Sequence, residues 1–248
     1  MRQLAPEQEP HLAVRSLTTN YGSGYVIESH AHRWHQLLFA ATGAMTLQAG
    51  RWSWMVPPGK AVFIPAGCAH SIRMWGTVAM RSLYFPRSLD RGADCFVLSV
   101  TPLLRELILR VTELSALDSR VPEEARLMSV LLDEMNVAPE TPLALPMPED
   151  ARAASIAKRV LDDPACDETL DGLSRRYGIG RRTAERLFRA QTGLSFGLWR
   201  QKVRLLDSIR LLAEGKSVTE AAIETGYTSV SAFIASFKST FGHTPGRL

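Results

Sequence analysis

Cysteine is scarce in this chain: its 248 residues include three, Cys68, Cys95 and Cys166, and none of them forms a CxxC pair. An odd number of scattered cysteines argues against the disulfide framework of a small secreted domain and fits the reducing cytoplasm. Long apolar runs are missing too. Nothing approaches 18 consecutive apolar residues, so we expect no membrane span. Residues 1–10 are polar with two prolines, which predicts a loose end rather than a signal peptide.

A strong net charge is also missing, but the charges are unevenly placed. The chain as a whole carries +4. Residues 151–248 hold 16 Lys and Arg against 10 Asp and Glu, a net of +6, whereas residues 1–150 hold 13 against 15, a net of −2. A length of 248 residues suits two modest domains, and a basic second half favours a partner that carries phosphate.

The stretch from Thr169 to Gly242 contains a two-helix pattern twice. In the first copy Gly178 ends one helix, and a second helix is predicted from about Arg181 to Ala190. In the second copy Gly226 ends a helix that starts with a capping box, and the next begins near Ser229. Each copy also has a phenylalanine five residues before a glycine. These pairs are Phe188 with Gly193 and Phe237 with Gly242. Such an internal repeat predicts two related helix-turn-helix units.

One long helix is predicted between the two copies, over Ser195–Ala213. Its 19 residues would span roughly 28 Å at a rise of 1.5 Å per residue. One turn of B-DNA is about 34 Å, so a rod of this size could hold two helices in successive major grooves. The second helix of the first copy fits that role, because its polar face is rich in arginine, which bonds guanine and neutralises phosphate. That face holds Arg181, Arg182, Glu185, Arg186 and Arg189.

These patterns resemble the DNA-binding domain of the AraC/XylS family of bacterial transcription regulators, including its closing pattern F-x-x-x-F-G-x-T-P at residues 237–245. The resemblance implies that Arg182, Glu185 and Arg186 read bases. It places a second reading face at Val230, Ser231, Ile234 and Ala235, with Lys238 just beyond. That second face has no arginine or glutamine, so we expect the first helix to carry most base specificity. The short terminal helix common in the family is expected to be absent or minimal.

The pattern from His11 to Phe85 changes to short strands separated by glycine and proline. Such spacing predicts a sandwich or barrel. The candidate strands are Leu12–Thr18, Tyr25–Ser29, His35–Ala41, Ala44–Gln48, Trp52–Val56, Ala61–Ile64, Ser71–Trp75 and Met80–Tyr84.

Two motifs in this region resemble those of the cupin superfamily. The first is His30-Ala31-His32 followed by Gln36 and Gly43, and the second is Gly59, then residues 65–67 (Pro-Ala-Gly), then His70. Gln36 stands where glutamate is usual. The fold expected is therefore two-domain α+β: an N-terminal cupin β-barrel or jelly roll over residues 11–90, and an all-α DNA-binding domain over residues 151–248.

The resemblance implies a pocket, and its contents remain open. His30, His32, Gln36 and His70 match the positions that ligate a divalent transition metal in metal-binding cupins. The loss of a carboxylate at Gln36 should weaken such binding, so the other interpretation is a metal-free effector pocket. Trp34 would share the inward face with Gln36, while His35 points away by strand alternation. Cys68 is interpreted as a passive loop residue rather than a ligand or thiol sensor.

Between the two domains, residues 100–137 predict a helical hairpin, either a homodimer contact or a cover for the cupin. Residues 138–150 contain four prolines and predict an interdomain linker.

The sequence thus predicts a cytoplasmic DNA-binding regulator, not an enzyme, whose cupin binds a small-molecule effector. The family resemblance adds activation through RNA polymerase. The alternatives are a metal-dependent cupin enzyme or metal sensor tethered to DNA, and a DNA-bending protein without an effector.

Overall fold

A computed structural model describes residues 11–247, so the predicted loose end at residues 1–10 lies outside the described part. The chain divides into two compact units. The first comprises the chain up to Leu47 together with Val56–Thr141, and the second comprises Gln48–Met55 together with the chain from Pro142 onward. Among the described residues, no helix is long and apolar enough to cross a bilayer.

The eight predicted strands are present, with small shifts at their ends, and three more accompany them. The strands are β1 (Leu12–Tyr21), β2 (Val26–His30), β3 (His35–Ala40), β4 (Ala44–Ala49), β5 (Trp52–Val56), β6 (Lys60–Ile64), β7 (His70–Trp75), β8 (Val78–Phe85), β9 (Phe96–Ser99), β10 (Ala116–Asp118) and β11 (Ala144–Pro146). In the first unit, six strands form a sheet in the order β10-β1-β8-β3-β6-β9, and β4, β7 and β2 are neighbours in another. The predicted β-rich N-terminal domain is confirmed.

The central strand β3 is buried along its whole length, and its last four residues, Leu37–Ala40, are all apolar. Leu37 and Phe39 pack into a core that includes the helices α1 (Pro102–Leu114) and α2 (Pro122–Val137). The predicted helical hairpin therefore covers this sheet, with Leu104 and Leu131 fully buried. Packing on the β domain, one of the two interpretations of the hairpin, is what the structure shows.

The first unit extends beyond the predicted boundary at residue 90. The strand β9 pairs with β6, and β10 pairs with β1. Both strands are short and lie after a bend or between helices, so their extended conformation depends on the partner strand rather than on local sequence. The prediction of a β domain confined to residues 11–90 is corrected accordingly.

The segment 138–150 joins the two units but is more ordered than a proline-rich linker. The backbone N–H of Thr141 donates to the carbonyl of Val97, and β11 pairs antiparallel with β5. Leu143 and Leu145 are 2% exposed. The prolines are compatible with this pairing because β11 lies at a sheet edge, where only one side of the strand needs donors.

The second unit contains six helices in the described residues, as its 3.6-residue periodicity predicts. They are α3 (Ala151–Asp162), α4 (Leu170–Arg176), α5 (Arg181–Thr192), α6 (Phe196–Ala213), α7 (Val218–Glu224) and α8 (Val230–Phe241). A 3₁₀ turn at Pro245–Arg247 follows them. The pairs α4–α5 and α7–α8 are the two helix-turn-helix units, and α6 is the long helix between them. The capping box of Ser217 and Glu220 is present at the start of α7.

Aromatic rings and one arginine hold the helices of the second unit together. Phe188 packs edge-on against Phe196 and Trp199. The guanidinium of Arg204 donates to three backbone carbonyls, those of Pro164, Cys166 and Gly226. Because these carbonyls precede the first helix-turn-helix and lie in the turn of the second, Arg204 fixes both to the middle of α6.

Candidate effector pocket and DNA-binding surface

The three histidines of the two cupin-like motifs meet on one side of the β domain. His30 ends β2, His70 begins β7, and the two residues are paired in register. His32 follows two residues after His30. One ring nitrogen from each histidine lies within 4.8 Å of the others, which is close enough for a shared ion. The structure therefore brings together His30, His32 and His70, as the motif spacing predicts.

Each of these imidazoles is oriented by a backbone carbonyl. The Nδ1 atoms of His30, His32 and His70 lie 2.9 Å from the carbonyl oxygens of Glu28, Trp34 and Cys68, respectively. A carbonyl oxygen only accepts, so Nδ1 carries the proton in all three rings. The nitrogen left to bind a ligand is therefore Nε2, and that of His32 faces the side chain of Gln36. Histidines that bind metals are oriented in this way, with the other ring N–H donated to a carbonyl or carboxylate.

The environment of His70 keeps its imidazole neutral. Burial lowers the pKa of His70 to about 4, and the nearby His30 and His32 contribute, although the hydrogen bond to the carbonyl of Cys68 opposes the shift. Its Nε2 atom is buried and has no hydrogen-bond partner among the described residues. A buried lone pair without a donor is costly in an otherwise packed interior, and a ligand or a water molecule at this position would satisfy it.

Gln36 connects the histidines to β8. Its Oε1 lies 3.0 Å from Nε2 of His32, and its Nε2 donates to the hydroxyl of Ser82 at 2.9 Å and, more weakly, to that of Tyr84 at 3.3 Å. The carbonyl of Trp34 already holds the proton of His32 on Nδ1, so Nε2 and Oε1 face each other as two acceptors. Three arrangements relieve this: a doubly protonated imidazole, a reversed amide, or a cation between the two atoms.

Ser82 and Tyr84 belong to this network, and the motifs do not reveal them. Tyr84 lies directly opposite Gln36 in the ladder between β3 and β8, and Ser82 lies opposite Leu38. Burial raises the pKa of Tyr84, which keeps its phenol protonated as a donor. The ring of Tyr84 also packs edge-on against His32. The only signal in the sequence is a polar residue at alternate positions of a strand, which many surface strands share.

Trp34 and His35 differ in their relation to the pocket. Trp34 is half-buried and contributes its carbonyl oxygen to His32. His35 points elsewhere, as alternation predicts: its Nδ1 accepts from the backbone N–H of Ala66, and its ring stacks on Phe63.

The first recognition helix, α5, exposes the predicted arginines. Ala184 and Phe188 are fully buried on its inner face. On the outer face Arg189 pairs with Glu185 at 3.2 Å. The remaining arginines, Arg181, Arg182 and Arg186, are exposed, and within residues 11–247 none of them has an ion pair. Free guanidinium groups on a rigid helix are suited to phosphate oxygens and guanine edges.

The second recognition helix, α8, has a less polar outer face. Phe233 and Phe237 are fully buried inside. Ser231, Ala235 and Lys238 are exposed, whereas Val230 and Ile234 are half-buried. Small and apolar side chains on this face can contact thymine methyl groups but cannot form bidentate hydrogen bonds with a base.

Comparisons with known proteins agree with both halves of this arrangement. Residues 14–131 match the family described as an AraC-like ligand binding domain, and residues 173–248 match a helix-turn-helix domain. The HTH-type transcriptional regulator NimR of Escherichia coli is 34% identical over 219 residues, which is 88% of this chain and 80% of NimR. The virulence regulon transcriptional activator VirF of Yersinia enterocolitica is 35% identical over 79 residues, 32% of this chain and 29% of VirF.

Among solved structures, ToxT from Vibrio cholerae aligns over 95% of this chain and 97% of its own, with 13% identity and a TM-score of 0.40. The extent of the NimR match, together with the two family matches, decides the assignment. The chain belongs to the AraC/XylS family of transcription regulators, and it combines an AraC-like ligand-binding domain with a helix-turn-helix DNA-binding domain.

Proposed function

We propose that His30, His32, Gln36 and His70 bind a divalent transition metal ion. The regulator responds to a ligand that binds at this ion. The observation that carries the proposal is the shared orientation of the three imidazoles, each with Nδ1 bound to a carbonyl and Nε2 left as the acceptor nitrogen. A purely apolar effector pocket would not need that arrangement. A divalent transition ion fits the donor set, since imidazole nitrogen suits zinc, copper, iron and nickel.

The contact between His32 and Gln36 supports the same proposal. Two acceptor atoms 3.0 Å apart would both be satisfied by one cation, as they would be by a reversed amide. An ion held there would act as a Lewis acid towards an effector that carries an oxygen or nitrogen donor. The chain itself orients the ligand atoms: carbonyls fix the imidazoles, and the hydroxyl of Ser82 fixes the amide of Gln36.

Metal content measured by mass spectrometry, on protein purified without an affinity tag or added metal, tests this proposal. We expect near-stoichiometric metal in the unmodified chain and its loss in the double variant His30→Ala/His70→Ala. The control is His11→Gln, which removes an imidazole outside the cluster. An absence of metal in the unmodified chain that persists after dialysis against Zn²⁺, Ni²⁺ and Fe²⁺ would overturn the proposal and leave a metal-free effector pocket, including Trp34.

We further propose that α5 supplies most of the sequence specificity towards double-stranded DNA. Arg182 and Arg186 are exposed one turn apart and have no ion pair with any described residue, while Arg189 is engaged with Glu185. Arg181 lies at the N-terminus of the helix, where it is suited to phosphate. On α8, Val230, Ser231, Ile234 and Ala235 would read shape and methyl groups, and Lys238 would bind phosphate.

Binding measurements on a selected operator, with and without competitor DNA, test this assignment. Arg182→Ala or Arg186→Ala should cost about 1–3 kcal/mol of specific binding and relax the preference at one base position. Lys238→Ala should weaken binding to all DNA sequences alike. It should also reduce, by about 1, the slope of the logarithm of the binding constant against the logarithm of the salt concentration. Arg126→Ala, an exposed arginine on α2, is the matched control. Unchanged sequence preference in both α5 variants would contradict the assignment.

Transcription activation in the cytoplasm by recruitment of RNA polymerase is the outcome we propose, supported by family membership and by the activator VirF among the relatives. A homodimer through the helical hairpin belongs to the same proposal. A reporter assay that compares the unmodified chain with the His30→Ala/His70→Ala variant distinguishes activation from repression by the sign of the change.

A further inference from the structure

Two of the three cysteines lie side by side in the first unit. The Sγ atoms of Cys68 and Cys95 are 3.8 Å apart, although 27 positions separate them in sequence. Cys68 lies in the turn between β6 and β7, and Cys95 immediately precedes β9. Both are partly exposed. Cys166 belongs to the second unit. The sequence gives no hint of this pairing, because neither residue lies in a CxxC motif.

The local backbone allows the two sulfur atoms to approach further. A disulfide bond is about 2.0 Å long, so the atoms must move roughly 1.8 Å closer. Neither cysteine occupies a strand, and the residues before Cys95 form an irregular loop. Because neither residue lies in a strand, the two side chains and that loop can move without breaking a ladder hydrogen bond of the sheet.

We propose that Cys68 and Cys95 form a redox pair, which a hydroperoxide closes to a disulfide and a dithiol reductant reopens. Closure of this pair requires neither bound metal nor bound DNA, and it gives the ligand-binding domain a second input.

The chemistry assigns a different role to each sulfur. Burial, together with the neighbouring Cys68 and Asp94, raises the pKa of Cys95, which keeps it a thiol at neutral pH. We assign the first attack to Cys68, whose sulfur attacks one peroxide oxygen and breaks the O–O bond, giving a sulfenic acid and one water. The sulfur of Cys95 then displaces the sulfenic oxygen as a second water. Two thiols lose two electrons and two protons, and one peroxide becomes two waters.

The position of the pair connects it to the histidine cluster. The carbonyl of Cys68 accepts the Nδ1 proton of His70, so the same turn carries a sulfur of the pair and orients a pocket imidazole. Residues 87–93, just before Cys95, line a cleft of about 360 Å³ together with His35, Pro65 and Ala66. A disulfide would tie this loop to the turn and restrict the backbone that holds His70.

Differential thiol labelling of the full chain tests the proposal. The reduced, unmodified chain should bind three equivalents of N-ethylmaleimide after mild unfolding, and the chain treated with one to five equivalents of hydrogen peroxide should bind one. Peptide mapping should recover a Cys68–Cys95 cross-link that is about 2 Da lighter than the two thiols, and dithiothreitol should restore all three labels.

Two variants sharpen the result. The Cys166→Ser variant keeps both cysteines of the pair. It should therefore bind two equivalents of N-ethylmaleimide when reduced and none after peroxide treatment. Cys95→Ser should form no cross-link and should instead trap a sulfenic acid on Cys68, detected as a dimedone adduct. A cross-link that involves Cys166 or a second chain, or oxidation of all three cysteines without any cross-link, would overturn the proposal. Because the unmodified chain provides the main readout, misfolding of a variant cannot decide the outcome. None of these readouts depends on metal or DNA.

Discussion

Gly226 lies in the turn of the second helix-turn-helix, where the backbone passes close to another segment. Its φ of +80° is strained for any residue with a side chain. A Cβ atom there would lie 2.9 Å from the Cα of Ala165 and 3.0 Å from the guanidinium of Arg204. Gly178 occupies the same place in the first helix-turn-helix with a φ of +66°, but open space surrounds it.

The two glycines therefore form a matched pair for mutation. Gly178→Ala should cost about 1–2 kcal/mol of unfolding free energy from backbone strain alone. Gly226→Ala should cost about 2–5 kcal/mol, because overpacking against backbone adds to the strain. Urea unfolding followed by circular dichroism measures both. Equal losses in the two variants would show that the contact with Ala165 has no energetic weight.

Gln36 is the residue at which the pocket departs from a carboxylate-containing metal site. Gln36→Glu adds a negative ligand beside His32. The hydroxyls of Ser82 and Tyr84, which accept from the amide of Gln36, would turn to donate to the new carboxylate. We expect at least about tenfold tighter binding of Zn²⁺ or Ni²⁺, within the range that changes at a metal site usually produce. Competition with a chromogenic chelator measures the affinity.

Gln48→Glu is the control for the added charge, since Gln48 is exposed and lies outside the cluster. An equal gain in metal affinity in both variants, or no gain in metal affinity in Gln36→Glu, would contradict a role for Gln36 next to the ion.

At the scale of elements, periodicity and pairing differ in how well they can be predicted. The helices α5 and α6 are amphipathic over three or more turns, so their spacing predicts them to within two residues. The strands β9, β10 and β11 have three or four residues each, and they are extended because a partner strand lies beside them. Nothing local distinguishes such segments from loops.

The same distinction applies to the candidate site. The resemblance to the two cupin motifs implies the convergence of His30, His32 and His70, and the structure brings the three together. Ser82 and Tyr84 enter the site through the register of β3 against β8. That register is set by the packing of the whole sheet, so a single sequence does not reveal it.

The strand β11 also anchors the DNA-binding unit through one side chain of α6. The indole N–H of Trp199 donates to the carbonyl of Pro146 at 2.7 Å in a buried position. Trp199→Phe removes the donor and leaves that carbonyl unsatisfied, which should cost about 1–3 kcal/mol, with a further loss from the smaller ring. The midpoint of urea unfolding checks this. The control Trp52→Phe changes a ring that is 36% exposed and should cost less. Equal costs would mean that the hydrogen bond adds little.

At the scale of the whole molecule, a regulator requires that ligand binding and DNA binding share free energy. If an ion in the histidine cluster changes operator affinity by some factor, the operator must change the affinity for the ion by the same factor. Couplings of this kind are typically about 5–150-fold. The two affinities are measurable separately on the full chain, one by titrating labelled operator with and without saturating metal, the other by chelator competition with and without operator.

We expect equal factors from the two titrations in the unmodified chain, and no coupling in the His30→Ala/His70→Ala variant with its DNA affinity otherwise retained. The variant separates the two roles that an ion could have. If the ion only stabilises the β domain, it binds the unmodified chain tightly while the affinity for the operator stays constant. The His30→Ala/His70→Ala variant then unfolds at a lower urea concentration, but its folded fraction binds DNA as tightly as the unmodified chain does. Tight metal binding with a coupling factor of one would therefore assign the cluster to stability, and the regulatory input would have to enter elsewhere in the ligand-binding domain.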